Sequence, residues 1–199
     1  MNHIIFFIEG NIGAGKSTII ERMEADLKKN TTANIYAYTE PVDIWTGITY
    51  ENKNMLQLLY ENPGQYAQQF QTLALVSRQA QYAEFMEHCI NSTDKQCIGI
   101  FERSTKSDKI FQSILCTQGH ISRLDLDIYN TVHIPTIKHI HIYLQLDPEL
   151  CLDRIKSRNR PEEVNMDLNY LKQLHTLHEE EFNLEKDNVI IINTNFVRI

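Results

Sequence analysis

With 199 residues, 42% of them hydrophobic and 23% charged, the chain is long enough to bury a sizeable core and reads as one globular domain spanning 1–199. A net charge of −7 excludes an extended nucleic-acid-binding face, which needs a basic surface, but leaves room for a local basic pocket. No apolar run is long enough to cross a bilayer, so neither a membrane nor a nucleic acid is expected as a partner.

The first apolar run, His3–Ile8, reads as a strand that begins within three residues. That start leaves no space for a signal or transit peptide, and a cytoplasmic protein is expected. The run leads into Gly10-Asn11-Ile12-Gly13-Ala14-Gly15-Lys16-Ser17-Thr18. This is the GxxxxGK[ST] spacing of a phosphate-binding loop between a strand and a helix. Its glycines let the backbone turn tightly and bring N–H groups close to phosphate oxygens, at the positive end of the following helix. Lys16 places a point charge on the β- and γ-phosphates of a nucleotide, and the Ser17 hydroxyl can ligate Mg²⁺. A glycine-rich turn that binds nothing is the plain alternative.

A helix over about Lys16–Lys29 follows, then a second strand, Asn34–Tyr38, ending in Thr39-Glu40-Pro41-Val42. One helix begins near Asn54 and stops at Asn62-Pro63-Gly64. A long one covers about Gln65–Ile90, with Phe70, Leu73, Val76, Ala80, Ala83 and Met86 as its apolar stripe. Gln96–Phe101 is a third strand and delivers Glu102-Arg103-Ser104. Helices over about Thr105–Cys116 and Ser122–Ile134 come next, the latter ended by Pro135. Then follow a strand over His139–Leu146, a helix from Pro148 through Arg158, a helix over about Asp167–Glu185 and a strand over Asn188–Asn193. Strands nearly continuous in Ile, Phe and Val, alternating with helices, predict an α/β fold: a five-stranded parallel sheet with helices on both faces.

Ligands of open parallel sheets bind at the carboxyl ends of the strands. There Glu40, held extended by Pro41, is the candidate general base of a phosphoryl transfer, against a solvated Glu before a proline. Glu102 can hold Mg²⁺ directly or through water, and Arg103 beside it can steer Glu40; the alternative is an ordinary ion pair. Arg154 and Arg158 share a helical face, and Arg160 follows in the loop, so about 154–165 is a candidate arginine lid or a solvated basic helix end. The four cysteines show neither CxxC nor metal-ligand spacing and read as reduced thiols. His3, His88, His120, His133, His139, His141, His175 and His178 lack a third ligand at metal spacing and read as ordinary surface or satisfied core residues.

Together these residues resemble the deoxyribonucleoside kinases of the deoxycytidine/deoxyguanosine/insect type, over almost the whole length. The resemblance is carried by Gly10–Thr18, Glu40-Pro41-Val42 with Trp45, Leu59-Tyr60-Glu61-Asn62-Pro63, Phe70-Gln71-Thr72 and Ser77-Arg78. It continues in Glu102-Arg103-Ser104 with Ser107-Asp108, and in Arg154–Glu163. It implies a P-loop kinase that uses ATP and Mg²⁺ (Ser17, Glu102) to phosphorylate a deoxynucleoside 5′-hydroxyl for nucleotide salvage. Glu40 would be the base, with Lys16 and Arg103 beside it; Tyr60 and Glu163 would hold the 3′-hydroxyl. Gln71 would read the base edge, Phe70 and Trp45 would wall the base, and Arg154, Arg158 and Arg160 would clamp phosphates. Asn195 and Phe196 would line the adenine. Ala74, Arg78 and Asp108 fall where relatives accepting cytosine and purine bases carry a small residue, an arginine and an aspartate, so deoxycytidine or a purine deoxynucleoside is expected over thymidine. After Asp108 the chain reads Lys109-Ile110-Phe111, one residue short of the family's usual spacing, which leaves open whether Phe111 reaches the base. The family is typically a homodimer, and the long helix is compatible with that.

Two rival readings share the P-loop. A thymidylate-type nucleoside monophosphate kinase would need a basic site for the acceptor's phosphate, where Glu40 would repel it. A non-catalytic nucleotide-binding module has no need of Lys16, Glu40 and Glu102 together.

Overall fold

The computed structural model describes residues 3–92, 94–131, 138–182 and 188–196. The elements are β1 (Ile4–Gly10), α1 (Lys16–Asn30), β2 (Asn34–Tyr38), α2 (Val42–Gly47), β3 (Thr49–Tyr50), β4 (Lys53–Asn54), α3 (Met55–Glu61) and α4 (Pro63–Asn91). There follow β5 (Cys97–Glu102), α5 (Thr105–Thr117), α6 (Arg123–Tyr129), β6 (Lys138–Gln145), α7 (Pro148–Arg158), a 3₁₀ turn (Pro161–Glu163), α8 (Leu168–Glu181) and β7 (Val189–Asn193). The main sheet is parallel, in the order β2-β5-β1-β6-β7. The five expected strands and their parallel pairing are all present.

Every residue of β5 is buried, as its uninterrupted apolar run demands of a strand covered on both faces. On one face, Phe7 and Phe101 meet Tyr82 and Phe85 of α4, while Tyr143 stacks on His178 and Phe182 at the end of α8. Ile8 points the other way and belongs to the core that Ile20 of α1 and Ile155 of α7 complete. In register, Ile8 lies beside Glu102 on β5 and Ile142 on β6. The loop after β1 is therefore flanked by the residues that leave β5. Because β2 and β6 lie on opposite sides of β1, the chain reverses direction there, and a crevice opens at that end of the sheet.

Helix starts are fixed chemically. Asn54 and Gln57 form a capping box at α3, Ser122 and Asp125 another at α6, and the Ser104 hydroxyl accepts the Lys106 N–H at α5. Three differences from the expected elements have physical causes. Helix α2 and the antiparallel β3–β4 pair are too short to leave a periodic signature. The apolar stripe assigned to the long helix coincides with its buried face only in part: Phe70 is buried, but Val76 is 60% exposed and Ala80 and Ala83 are exposed too. What α4 buries includes Gln71, Ser77 and Arg78, because half of that face fronts a polar cavity rather than the core. The helix expected over Ser122–Ile134 ends at Tyr129, with Asn130 as its C-cap. Residues 132–134 of the expected helix, His133 included, and the Pro135 expected to end it lie outside the described residues, as do 183–185 of the final helix.

Candidate active site

A cavity of about 600 Å³ opens at the carboxyl ends of the strands. Ile12, Gly13 and Lys16 line one end; Trp45, Phe70, Gln71, Ala74, Arg78, Asp108 and Phe111 line the other. Glu40, Glu102 and Arg103 lie on its wall, with Tyr60, Arg158, Arg160, Glu163 and Tyr170 around the rim.

The loop Gly10–Ser17 is held by conformation and by packing. Gly10 and Gly13 have φ of 143° and 80°, the region where a Cβ clashes with its own backbone. A Cβ on Gly13 would also sit 2.6 Å from the Cys151 carbonyl oxygen, and one on Gly10 2.8 Å from that of Leu144. Asn11 ties the loop down: its Nδ2 donates to the Leu171 carbonyl (2.8 Å) and its Oδ1 accepts the Ile12 N–H (2.8 Å). Lys16 is buried, donates to the Asn11 carbonyl (3.0 Å) and lies 3.7 Å from Glu102 Oε1. Burial and the nearby Arg103 charge lower its pKa to about 8. Glu102 Oε2 accepts the Ser17 hydroxyl (3.1 Å) and the Glu40 N–H (3.3 Å). A hydroxyl and a carboxylate so placed form the hard oxygen donor set that suits Mg²⁺.

Arg103 organises the centre. It leaves β5 at φ 67°, a left-handed conformation unusual for a residue with a Cβ. Its Nε donates to Glu40 Oε1 (2.8 Å), its Nη1 donates to the Gly10 carbonyl (2.7 Å), and its guanidinium lies over the Phe111 ring at 4.8 Å. Glu40 is 23% exposed at the cavity wall. Burial alone would raise its pKa, but Arg103, Lys16 and Arg78 outweigh it and hold the carboxyl at about 2.

At the far end Arg78, 2% exposed, grips Asp108 with two parallel bonds, Nε to Oδ2 and Nη2 to Oδ1, each 3.0 Å. Its Nη1 donates to the Glu102 carbonyl (2.6 Å), and the Tyr129 hydroxyl donates to Asp108 Oδ2 (2.8 Å). Trp45 Nε1 donates to Ser77 Oγ (3.1 Å) and meets Phe70 edge-on, ring centres 5.3 Å apart. In the segment after α7, Glu163 binds both Arg158 (Nη2 to Oε2, 2.6 Å) and Arg160 (Nη1 to Oε1, 3.2 Å). Arg154 Nη1 donates to the Ala14 carbonyl (3.2 Å), on the P-loop.

Thus the P-loop, Glu40, Trp45, Tyr60, Phe70, Gln71, Ala74, Arg78, Glu102, Arg103, Asp108, Arg158, Arg160 and Glu163 come together. Phe111 lines the cavity despite the shortened spacing. Asn195 and Phe196 do not join it. Asn195 bonds Asp147 at the start of α7, and Phe196 is 94% exposed.

Sequence reasoning missed the support beneath. Glu9, wholly buried in β1, accepts the Ser107 hydroxyl and pairs with His141 Nδ1 (3.0 Å). Burial would raise its pKa, but His141 above all brings it down to about 2. His178 donates from Nδ1 to the Leu174 carbonyl (2.6 Å), so the Nε2 lone pair faces Arg103 Nη1 at 3.5 Å. Burial and the Arg103 charge hold this ring neutral, with a pKa of about 3. Tyr170, half-buried at the rim, carried no signal beyond its place on a helix.

Comparison with known proteins agrees with this geometry. A family model described as deoxynucleoside kinase matches residues 6–197. Deoxycytidine kinase 2 of Gallus gallus is 32% identical over 194 residues, covering 86% of this chain and 71% of that protein. The mitochondrial deoxyguanosine kinase of Xenopus laevis is 33% identical (86% and 70% covered), and a thymidine kinase of Ictalurid herpesvirus 1 is 30% identical (88% and 73% covered). The chain belongs to the deoxynucleoside kinase family, whose members transfer a phosphoryl group to the 5′-hydroxyl of a deoxynucleoside.

Proposed function

We propose that this kinase prefers deoxycytidine or a purine deoxynucleoside to thymidine, and that one kinase domain, 1–199, does the work with a P-loop at 10–18 and a lid at about 154–165. The observation that carries the preference is the doubly bonded, buried Arg78–Asp108 pair lining the base end of the cavity beside Gln71 and Ala74. The pair fills space a thymine methyl needs and offers polar contacts instead. A pocket that excludes one methyl discriminates by about 10–200-fold, so kcat/KM for thymidine is expected to fall that far below the best substrate. Measuring all four deoxynucleosides with ATP and Mg²⁺ tests this; thymidine as the best substrate would refute it.

In this reading Glu40 receives the 5′-hydroxyl proton while Arg103 fixes its carboxylate. Tyr60 and Glu163 hold the 3′-hydroxyl, Gln71 bonds the Watson–Crick edge with its adjacent donor and acceptor, and Phe70 and Trp45 enclose the ring. The P-loop N–H groups and Lys16 hold the phosphates. Ser17 and Glu102 would hold Mg²⁺, which supplies charge neutralisation on the phosphates. Arg158 and Arg160 reach the transferring group by exchanging a Glu163 oxygen for a phosphate oxygen, and Arg154 stays on the P-loop. At the acceptor end Arg78 and Arg103 are each occupied by a carboxylate and a carbonyl, which favours an uncharged nucleoside over a monophosphate. We place the enzyme in the cytoplasm, as a homodimer through the exposed Val76, Ala80 and Ala83 row of α4; Val76→Asp should sediment as a monomer.

The pH dependence follows from Lys16. Free-enzyme groups govern kcat/KM. Its pKa of about 8 is below that of an ordinary lysine, so the charge that binds phosphate is lost as pH rises through 8. kcat/KM for ATP should be level from pH 5 to 7, because Glu40 stays ionised down to about 2, and should fall above pH 8. A level profile up to pH 10 would contradict it.

A further inference from the structure

At the end of the sheet remote from the cavity, donors from three parts of the chain converge. His3 precedes β1, Cys97 opens β5 and Cys89 lies in the last turns of α4. Their ligating atoms all lie within 4.8 Å of one another. Cys97 is fully buried, Cys89 is 6% exposed and His3 is half-buried, so the cluster is closed on its sulfur side and open beside the imidazole. The phosphoryl-transfer site does not use it. Arg78, on the same helix, is eleven residues away from Cys89, roughly 16 Å along the axis.

We propose that His3, Cys89 and Cys97 form a zinc site, with water in the fourth position on the His3 side. Tetrahedral zinc with Zn–S bonds of about 2.3 Å separates its ligand atoms by about 3.8 Å, so the cluster needs to contract by only about 1 Å. Two thiolates cancel the dication, and a neutral unit enters the buried pocket. Copper(I) in the same donors would leave a net negative charge there, and hard Mg²⁺ disfavours sulfur. Binding is acid–base chemistry without redox: Zn²⁺ displaces the two thiol protons to solvent, forms two Zn–S bonds and takes a lone pair of neutral imidazole. The cost is local. Cys97 N–H donates to His3 Nδ1 (3.1 Å), which holds the ring against β5, and ligation through that nitrogen gives up this one bond. The Cys97 thiol gives up a long contact to the His88 carbonyl (3.8 Å) and its hydrogen-bonding contact with the Cys89 thiol, which the shared ion replaces. The ion would clamp the end of α4 to the starts of β1 and β5.

The test uses the reduced chain of residues 1–199 with excess Mg²⁺ to occupy the hard oxygen ligands. One equivalent of Co²⁺ should give a thiolate-to-cobalt charge-transfer band that Zn²⁺ abolishes. Calorimetry in buffers of different ionisation enthalpy should show two protons released per zinc. Cys89→Ser and Cys97→Ser should lose both the band and the rise in Tm that zinc gives the unsubstituted chain, and His3→Gln should weaken metal binding and shrink that rise. No band in the unsubstituted chain overturns the proposal, as does a band retained in Cys89→Ser or a Cys89–Cys97 disulfide in place of metal binding. The cobalt and proton readings need no variant, so a misfolded substitution does not blunt them. Kinase activity enters none of these measurements, so the outcome is independent of the substrate assignment.

Discussion

Replacing Glu40 by Gln is expected to lower kcat about 10²–10⁴-fold, the usual contribution of a positioned base. A carboxyl with a pKa of about 2 is a weak base by solution standards, since proton abstraction works best when pKa and pH are close. Phosphoryl transfer relaxes that demand. Its loose transition state leaves the attacking hydroxyl little changed until late, so the base mainly orients the oxygen and takes the proton at the end. As the base we propose, Glu40 would need a fixed place and a negative charge, and Arg103 supplies both: the bond from Nε sets the carboxylate, and the charge keeps it ionised. Gln keeps an oxygen for that bond but cannot take a proton. Arg103 would remain anchored by the Gly10 carbonyl and the Phe111 ring, so the fold should persist and KM for ATP should change little. Steady-state kinetics with a melting curve for each protein measure this. Unchanged kcat would remove Glu40 from the chemistry, and loss explained by unfolding would leave it a structural residue.

The legible parts of this molecule are those where one chemical demand admits few residue types. A backbone that must pass within reach of Cys151 and Leu144 carbonyls accepts only glycine, so the loop announces itself. A strand buried on both faces, such as β5, must be apolar throughout. The buried face of α4 was hidden for the opposite reason. Ser77 and Arg78 are polar residues in an interior, satisfied by Trp45 and Asp108 far away in sequence, and counting apolar positions passes over them. Glu9 falls between the expected strand His3–Ile8 and the loop from Gly10, and it is a buried carboxylate whose partner His141 lies on β6, 132 residues later. The histidines, read singly, gave no hint that His178 would face Arg103 or that His3 would meet two thiols. Such constellations exist only once the sheet order is known.

The Arg78–Asp108 pair makes the sharpest separation between stability and specificity. Asp108→Asn leaves the Arg78 guanidinium, 2% exposed, without its counter-charge, a loss of about 3–5 kcal/mol for a broken buried pair. In a chain of this size each kcal/mol moves Tm by about 2–4 °C, so a fall of roughly 6–20 °C is expected. Removing both partners, Arg78→Met with Asp108→Ala, takes the uncompensated charge away and should recover part of the loss. It should not recover all, because the Tyr129 hydroxyl and the Glu102 carbonyl each lose a bond, and an orphaned buried polar group costs about 1–3 kcal/mol. Adding Tyr129→Phe should therefore raise Tm again, an increase that an additive scheme does not foresee. The same double variant opens the base end of the cavity, and thymidine should gain on deoxycytidine in kcat/KM by about tenfold or more. Melting curves and a two-substrate comparison on the four proteins decide both points. If the double variant is no more stable than Asp108→Asn, the pair is not energetically coupled; if its substrate ratio stays at the parental value, the pair does not select the base.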